Sequence, residues 1–268
     1  RLVFADDTPD VIAYPVNRAG WGRLCRLLTL GKRRADKGEC HLTRADLVTD
    51  ARDLLLIAMP GRPGDIRLDI LGELKEAAPG ATWLAAAMAY GGSDRRDLAG
   101  LKTAAARAGL PLLAVNDVLY HEPAQRPLQD VLTCIREGVT IHSAGRLLAA
   151  NAERHLKPAQ EMARLFRDAP EAIGETLHVL DRIDFSLSEL KYDYPDEPVP
   201  PGKTPQGWLE ELTWRCAALR YPQGISPKVE RLLREELALI AQLDYARYFL
   251  TIRDIVRYAE DRGILCRG

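Results

Sequence analysis

An excess of charge of either sign is the first thing missing. Lys and Arg number 37 against 38 Asp and Glu, a formal net charge of −1. No chain-wide field therefore steers the protein toward nucleic acid or an anionic membrane, and any such contact must be local. Paired cysteines are missing too. Cys25, Cys40, Cys134, Cys216 and Cys266 are odd in number, scattered, and contain no C-x-x-C. This argues against a disulfide framework and a cysteine zinc site, and for a reducing, cytoplasmic setting. No apolar run approaches the roughly 20 residues of a membrane helix, and no signal peptide is visible. The five histidines form no H-x-H or H-x-x-x-H pair. The loops G-x-x-x-x-G-K-[ST], G-x-G-x-x-G and G-x-S-x-G are absent, which removes the commonest nucleotide-binding and hydrolase motifs.

What is present is a large apolar fraction, 47% of 268 residues, enough to fill one large core or two ordinary ones. Residues 2–15 suggest a hairpin, with LVFA and VIAY flanking a turn-rich Asp6–Asp10. Asn17 is an N-cap for a helix to about Leu30, with Trp21, Leu24, Leu27 and Leu28 inward. Lys32–Lys37 reads as a basic, solvated loop, and Thr43 caps a short helix. A regular alternation follows: strands at 54–59, 82–88 and 110–115, helices at 65–78 and 93–108. Continuous apolar strands joined by helices predict an α/β fold with a parallel sheet, open or closed into a barrel, and function at the strands' carboxyl ends. Pro127 then opens a helix to Gly138 whose apolar stripe is Leu128, Val131, Leu132 and Ile135.

Beyond Gly138 the texture becomes helical and punctuated by proline. Pro158 and Pro170 open helices to about Phe166 and Arg182. YDYPDEPVPPGKTP, residues 192–205, holds five prolines and reads as a linker. Thr204-Pro205 and Ser226-Pro227 start two long helices, the first with Trp208, Leu209, Leu212 and Leu219 inward, the second striped by Val229, Leu232, Leu233, Leu237 and Ile240. A last helix runs from about Phe249 to Arg262, before a strand-like Ile264–Cys266. The chain begins at Arg1 and stops directly after that run, and an internal fragment is the expectation.

Only the third strand end, Asn116-Asp117-Val118-Leu119-Tyr120-His121, is rich in metal-type ligands. Asp117 and His121, four apart, suit zinc or manganese, but two ligands are fewer than the three or four of a complete site. The alternative is a turn-capping aspartate and an ordinary loop histidine. Tyr192, Tyr194, Tyr221, Tyr245 and Tyr248 are candidate platforms for stacking bases, and Arg247, Arg253, Arg257 and Arg267 candidate contacts for a phosphate backbone. Glu260, Asp261 and Asp254 dilute those arginines, and a solvated helix face explains them equally well.

The words NDVLYHEPAQRPLQDVLTCIREG, NAERHLKPAQEMARLF, FSLSELKYDYPDEPVP, LIAQLDYARYFL and YFLTIRDIVRYAEDRGILCRG occur in this order. Together they resemble the bacterial C-family DNA polymerases, closest to the error-prone paralogue of the replicative alpha subunit. The resemblance implies that residues 1–150 are a truncated polymerase-and-histidinol-phosphatase (PHP) domain, part of a distorted β/α barrel. Residues 151–268 would be the amino-terminal, mainly helical part of the palm, ending before the catalytic aspartates, so that no catalytic residue is expected in this chain and the chain alone would not polymerise. Gly268 would be the first glycine of the nucleotide-binding loop, with Arg267 beside it. Arg253 and Arg267 stand where histidine and glutamine are usual, adding positive charge near that loop. The implied substrates are a DNA primer-template and deoxynucleoside triphosphates, the implied partners a sliding clamp and accessory translesion proteins, with no membrane. Magnesium for polymerisation would be bound outside this chain. Where the family word runs Asn-Asp-Val-His, this chain matches at Asp117 but carries Leu119 in the histidine's place. A hydrocarbon cannot bind a metal, which argues against zinc or manganese at a site reduced to Asp117 and His121. The remaining alternatives are a PHP-type metal-dependent phosphoesterase and a non-catalytic structural PHP module.

Overall fold

A computed structural model describes residues 1–60, 66–191, 196 and 198–266. Its contacts separate two compact units, Arg1–Glu189 and Leu190–Gly268.

The first unit is built on a four-stranded sheet whose spatial order follows the chain: β1 (Asp10–Pro15), β2 (Leu54–Met59), β3 (Thr82–Ala87) and β4 (Leu112–Val115). β1 runs antiparallel to β2, and β2, β3 and β4 are parallel. All six residues of β2 are buried, as expected of a strand covered on both faces. The strands at 54–59, 82–88 and 110–115 thus form as expected, the last two trimmed at their ends. Residues 2–15 do not form a two-stranded hairpin. Leu2 makes a single antiparallel bridge to Val11, while β1 takes β2 as its partner along all six positions.

Helices α1 (Arg18–Arg33) and α2 (Arg44–Thr49) join β1 to β2; α3 (Leu68–Ala77) joins β2 to β3; α4 (Asp94–Ala108) joins β3 to β4. Local chemistry sets their ends. The Asn17 side chain accepts the Gly20 N–H at 3.0 Å. At α2 the Thr43 N–H donates to Asp46 at 2.9 Å in a capping box. Gly109 closes α4 in the left-handed region. Residues 61–65 lie outside the described residues, so the expected start of the α3 helix at Asp65 falls there.

After β4 come α5 (Arg126–Glu137), α6 (Ala159–Leu165) and α7 (Pro170–Asp181). Pro127 lies in the first turn of α5 and Gly138, at φ 64°, ends it. The apolar stripe of α5 is turned to solvent: Leu128, Val131, Leu132 and Ile135 are all exposed, Ile135 at 72%. The helix buries Thr133 and Cys134 instead, and the sheet's last strand is covered by α7. Phe166, Ala169 and Ala172 are fully buried in the same core as the strands. Burial of a side chain the size of Phe166 contributes about 1.5–3 kcal/mol. Trp83 donates from Nε1 to Glu175 at 2.7 Å, and the Arg182 guanidinium lies 5.5 Å from its ring centre. The compact unit therefore continues past residue 150, through α7, because α6 and α7 complete its core.

The second unit holds α8 (Pro205–Arg220), α9 (Pro227–Gln242) and α10 (Ala246–Glu260). Thr204 and Ser226 cap α8 and α9 ahead of first-turn prolines. The core is Leu209, Leu212, Leu237, Ala246 and Leu250. Three helices enclose only a narrow seam, so two expected inward leucines lie outside it. Leu219 is 78% exposed and Leu232 is exposed as well. Ile264–Cys266 is not a strand, since no strand among the described residues pairs with it.

Candidate functional site at the carboxyl ends of the strands

The parallel strands deliver their carboxyl ends to the loops after β3 and β4. Among the described residues, four that are not glycine have positive φ, and two of them, Tyr90 and Asp117, stand in these loops. Such conformations cost of order 1–3 kcal/mol and persist only where surrounding contacts impose them. Asp117, at φ 42°, is of a type that tolerates the left-handed region.

The imposing contacts at Asp117 come from a distant segment. Residues 119–120 and 154–156 are joined by Leu119 N–H to Arg154 O at 2.8 Å and Leu156 N–H to Tyr120 O at 3.2 Å. Arg154 donates from Nε to the Asp117 carbonyl at 2.8 Å, and its Nη2 reaches the Asp117 carboxylate. Arg1 adds Nη1 contacts at 2.8 and 3.0 Å to the two carboxylate oxygens. Beside this clamp the Lys157 ammonium is buried, its side chain only 2% exposed, against the Glu153 carboxylate at 3.1 Å. The Lys157 Nζ also donates to the Glu153 carbonyl and to Asn116 Oδ1. The Asn116 amide in turn donates to the Glu153 and His155 carbonyls.

A zinc or manganese ion needs three or four N, O or S donors at roughly 2.0–2.3 Å. Asp117 spends both carboxylate oxygens on guanidinium hydrogens. His121 is exposed and sits 3.5 Å from Glu122, and Leu119 offers only hydrocarbon. Among the described residues no group of three or more His, Cys, Asp or Glu is arranged to hold a metal. The donor set at this strand end does not fit a metal; a guanidinium takes the cation's role of neutralising Asp117.

In the second unit the expected nucleic-acid residues of α10 lie on a face where cations and anions alternate. Arg253 donates to Asp254 at 2.8 Å, Arg257 is 3.9 Å from Asp261, and Arg247 is 3.1 Å from Asp196. Tyr221, Tyr245 and Tyr248 are all partly exposed. Arg262 stacks 3.7 Å from the Tyr258 ring centre, a cation–π contact. Tyr192, Tyr194, Arg267 and Gly268 lie outside the described residues. Among the described residues no helix is long and apolar enough to cross a membrane.

The sequence does not single out Arg154 or Lys157 as site residues. Arg154 and Lys157 lie in the word NAERHLKPAQEMARLF, which carries part of the family resemblance. Nothing local, however, ties them to a strand end 37 to 41 residues earlier.

Comparison with known proteins agrees with those words. Residues 207–268 match the family described as bacterial DNA polymerase III alpha NTPase domain. An error-prone DNA polymerase of Bradyrhizobium sp. (strain ORS 278) is 56% identical over 275 residues, covering 100% of this chain and 24% of the relative. Those of Brucella abortus and Caulobacter vibrioides are 54% and 48% identical, each covering 100% of this chain and 25% of the relative. The chain thus spans about a quarter of the length of the curated relatives it matches. From end to end, about half of this chain's residues are thus identical to those of a segment of relatives named error-prone DNA polymerase.

Proposed function

We propose that this chain is a segment of an error-prone DNA-directed DNA polymerase that acts in the bacterial cytoplasm, in damage-induced translesion synthesis and DNA repair. The observation that carries the reading is similarity over every residue to relatives named error-prone DNA polymerase. In this reading residues 1–150 are part of a distorted β/α barrel of PHP type, and residues 151–268 begin the palm. Arg267 and Gly268 open the loop for the incoming nucleotide's phosphates. Magnesium ions held by carboxylates outside these residues supply the charge stabilisation for phosphoryl transfer. The substrates are a primer-template and deoxynucleoside triphosphates, and a sliding clamp and accessory translesion proteins are the natural partners. Primer extension by the full-length protein on a template with an abasic site tests this. Magnesium-dependent extension past the lesion is the expected result; no incorporation even on undamaged template would sink the reading.

A second reading concerns the first unit alone. The Arg154–Asp117 clamp favours a structural PHP module over a metal-dependent phosphoesterase, because the matching ligand is already neutralised. Under this reading Leu119→His restores a histidine and yet creates no phosphoesterase. Manganese-dependent release of phosphate by that variant, absent from the parent protein, would instead reveal a latent site.

A further inference from the structure

Past β3, a surface cleft of about 610 Å³ opens between the start of α4 and the end of α6. Four arginines line it: Arg95 and Arg96 from α4, Arg164 from α6 and Arg167 just beyond α6. Against them the lining holds two carboxylates, Asp94 and Asp168. The Asp94 carboxylate is engaged by the Ala89 N–H at 3.2 Å. Asp168 is shared, 4.0 Å from Arg95 and 3.9 Å from Arg167. Arg96 lies 4.0 Å from Asp97, whose carboxylate takes the Ser93 hydroxyl.

These distances are longer than those of the closely paired arginines of the unit. Elsewhere in the unit Arg34, Arg44 and Arg67 approach a carboxylate to 2.7, 2.8 and 2.6 Å. Arg95, Arg96 and Arg167 stop beyond hydrogen-bonding range. Arg95 and Arg96 also sit in the first turn of α4, where aligned peptide dipoles disfavour cations. The pocket wall is built, by contrast. Arg164 is bound to Glu161 at 2.7 Å through both Nε and Nη2, and Tyr90 donates to the same carboxylate at 3.1 Å. Asn151 holds the Tyr90 loop by donating to the Ala89 carbonyl at 2.7 Å. The result is a fixed aromatic and arginine wall facing three guanidinium groups with hydrogen-bonding capacity to spare.

We propose that this cleft binds adjacent phosphate groups, which Arg95, Arg96 and Arg167 would take by paired N–H donors. The volume, within the range of small-molecule sites, admits more than one phosphate. The same chemistry is offered by a single-stranded nucleic-acid backbone and by a free oligophosphate such as pyrophosphate. The proposal does not depend on the polymerase reading, since it uses neither α8–α10 nor the nucleotide loop.

The test is arginine footprinting of the full-length protein with phenylglyoxal, read by mass spectrometry, in the presence of oligothymidylate or of inorganic pyrophosphate. Protection of Arg95, Arg96 and Arg167 by oligothymidylate alone identifies a backbone site. Protection by pyrophosphate identifies a free-oligophosphate site. A second measurement pairs Arg95→Ala with Arg167→Ala and compares them with Arg26→Ala plus Arg33→Ala, on the other basic patch, along α1. For a backbone site the cleft pair weakens oligothymidylate binding about 10-fold and reduces the salt slope by roughly 1.4, about 0.7 per lost contact. For a free-oligophosphate site it weakens pyrophosphate binding by a similar factor. The α1 pair leaves both unchanged. Absence of protection by either probe, or equal effects of the two variant pairs, overturns the proposal.

Discussion

A carboxylate gripped by a guanidinium and a phenol keeps its charge to unusually low pH. The Arg164 hydrogen bonds hold Glu161 down to about 2, from an ordinary value of 4.5, against the opposing pull of burial and with a smaller contribution from Tyr90. Because the folded value lies below the unfolded one, the interaction contributes fully above pH 4.5 and fades as pH falls toward 2. NMR titration should place the Glu161 midpoint near the lower value, and Arg164→Ala should return it to the ordinary glutamate range. A midpoint unmoved by that substitution would show that the pairing does not exist in solution. At this same scale the sequence is legible only in part. Asp117 stands out as a polar residue past an apolar strand, and Leu119 as a hydrocarbon where a ligand is expected. Their environment is not legible. Arg154 meets Asp117 across 37 residues, and pairing through space carries no period that local spacing reveals.

Elements fare better, because periodicity, caps and glycine placement are local. β2, α1 and the capped starts of α2, α8 and α9 follow from apolar runs and from Asn17, Thr43, Thr204 and Ser226. Which side of a helix finds cover is a tertiary matter, and α5 shows it: its stripe is clear in the sequence and exposed in the fold. Helix α1 separates the two kinds of information within three residues. A Cβ at Gly20 would lie 2.2 Å from the Asp53 carbonyl oxygen, whereas one at Gly22 would meet only the end of the Arg26 side chain at 3.6 Å. Gly20→Ala should therefore destabilise the unit by about 1–3 kcal/mol through overpacking. Gly22→Ala should be neutral or stabilise it by up to about 1 kcal/mol, as alanine favours the helix. Urea denaturation of the two variants decides. Equal effects would mean that α1 does not approach Asp53 this closely.

At the scale of the molecule, the unpartnered stripe of α5 governs behaviour in solution more than stability. Leu128, Val131, Leu132 and Ile135 form a contiguous apolar face of the kind that drives association. Replacing Leu128 and Ile135 by lysine should leave thermal stability within about 0.5 kcal/mol, as at other exposed positions. It should also lower the sedimenting mass of the 268-residue chain at high concentration. A large loss of stability would mean that α5 lies against the core after all. The division into two units at residue 189 is foreshadowed by the proline-rich stretch at 192–205. The attachment of α6 and α7 to the first unit is not, since it depends on where Phe166 and Glu175 land. The order of the sheet has a bearing on synthesis. Each of β2, β3 and β4 pairs with the strand made just before it. A chain leaving the ribosome can add every strand to an edge already in place, keeping its pairings close in sequence and its folding early. Only the cover over β4, supplied by α7, must wait, so the edge most exposed to wrong partners is the newest one.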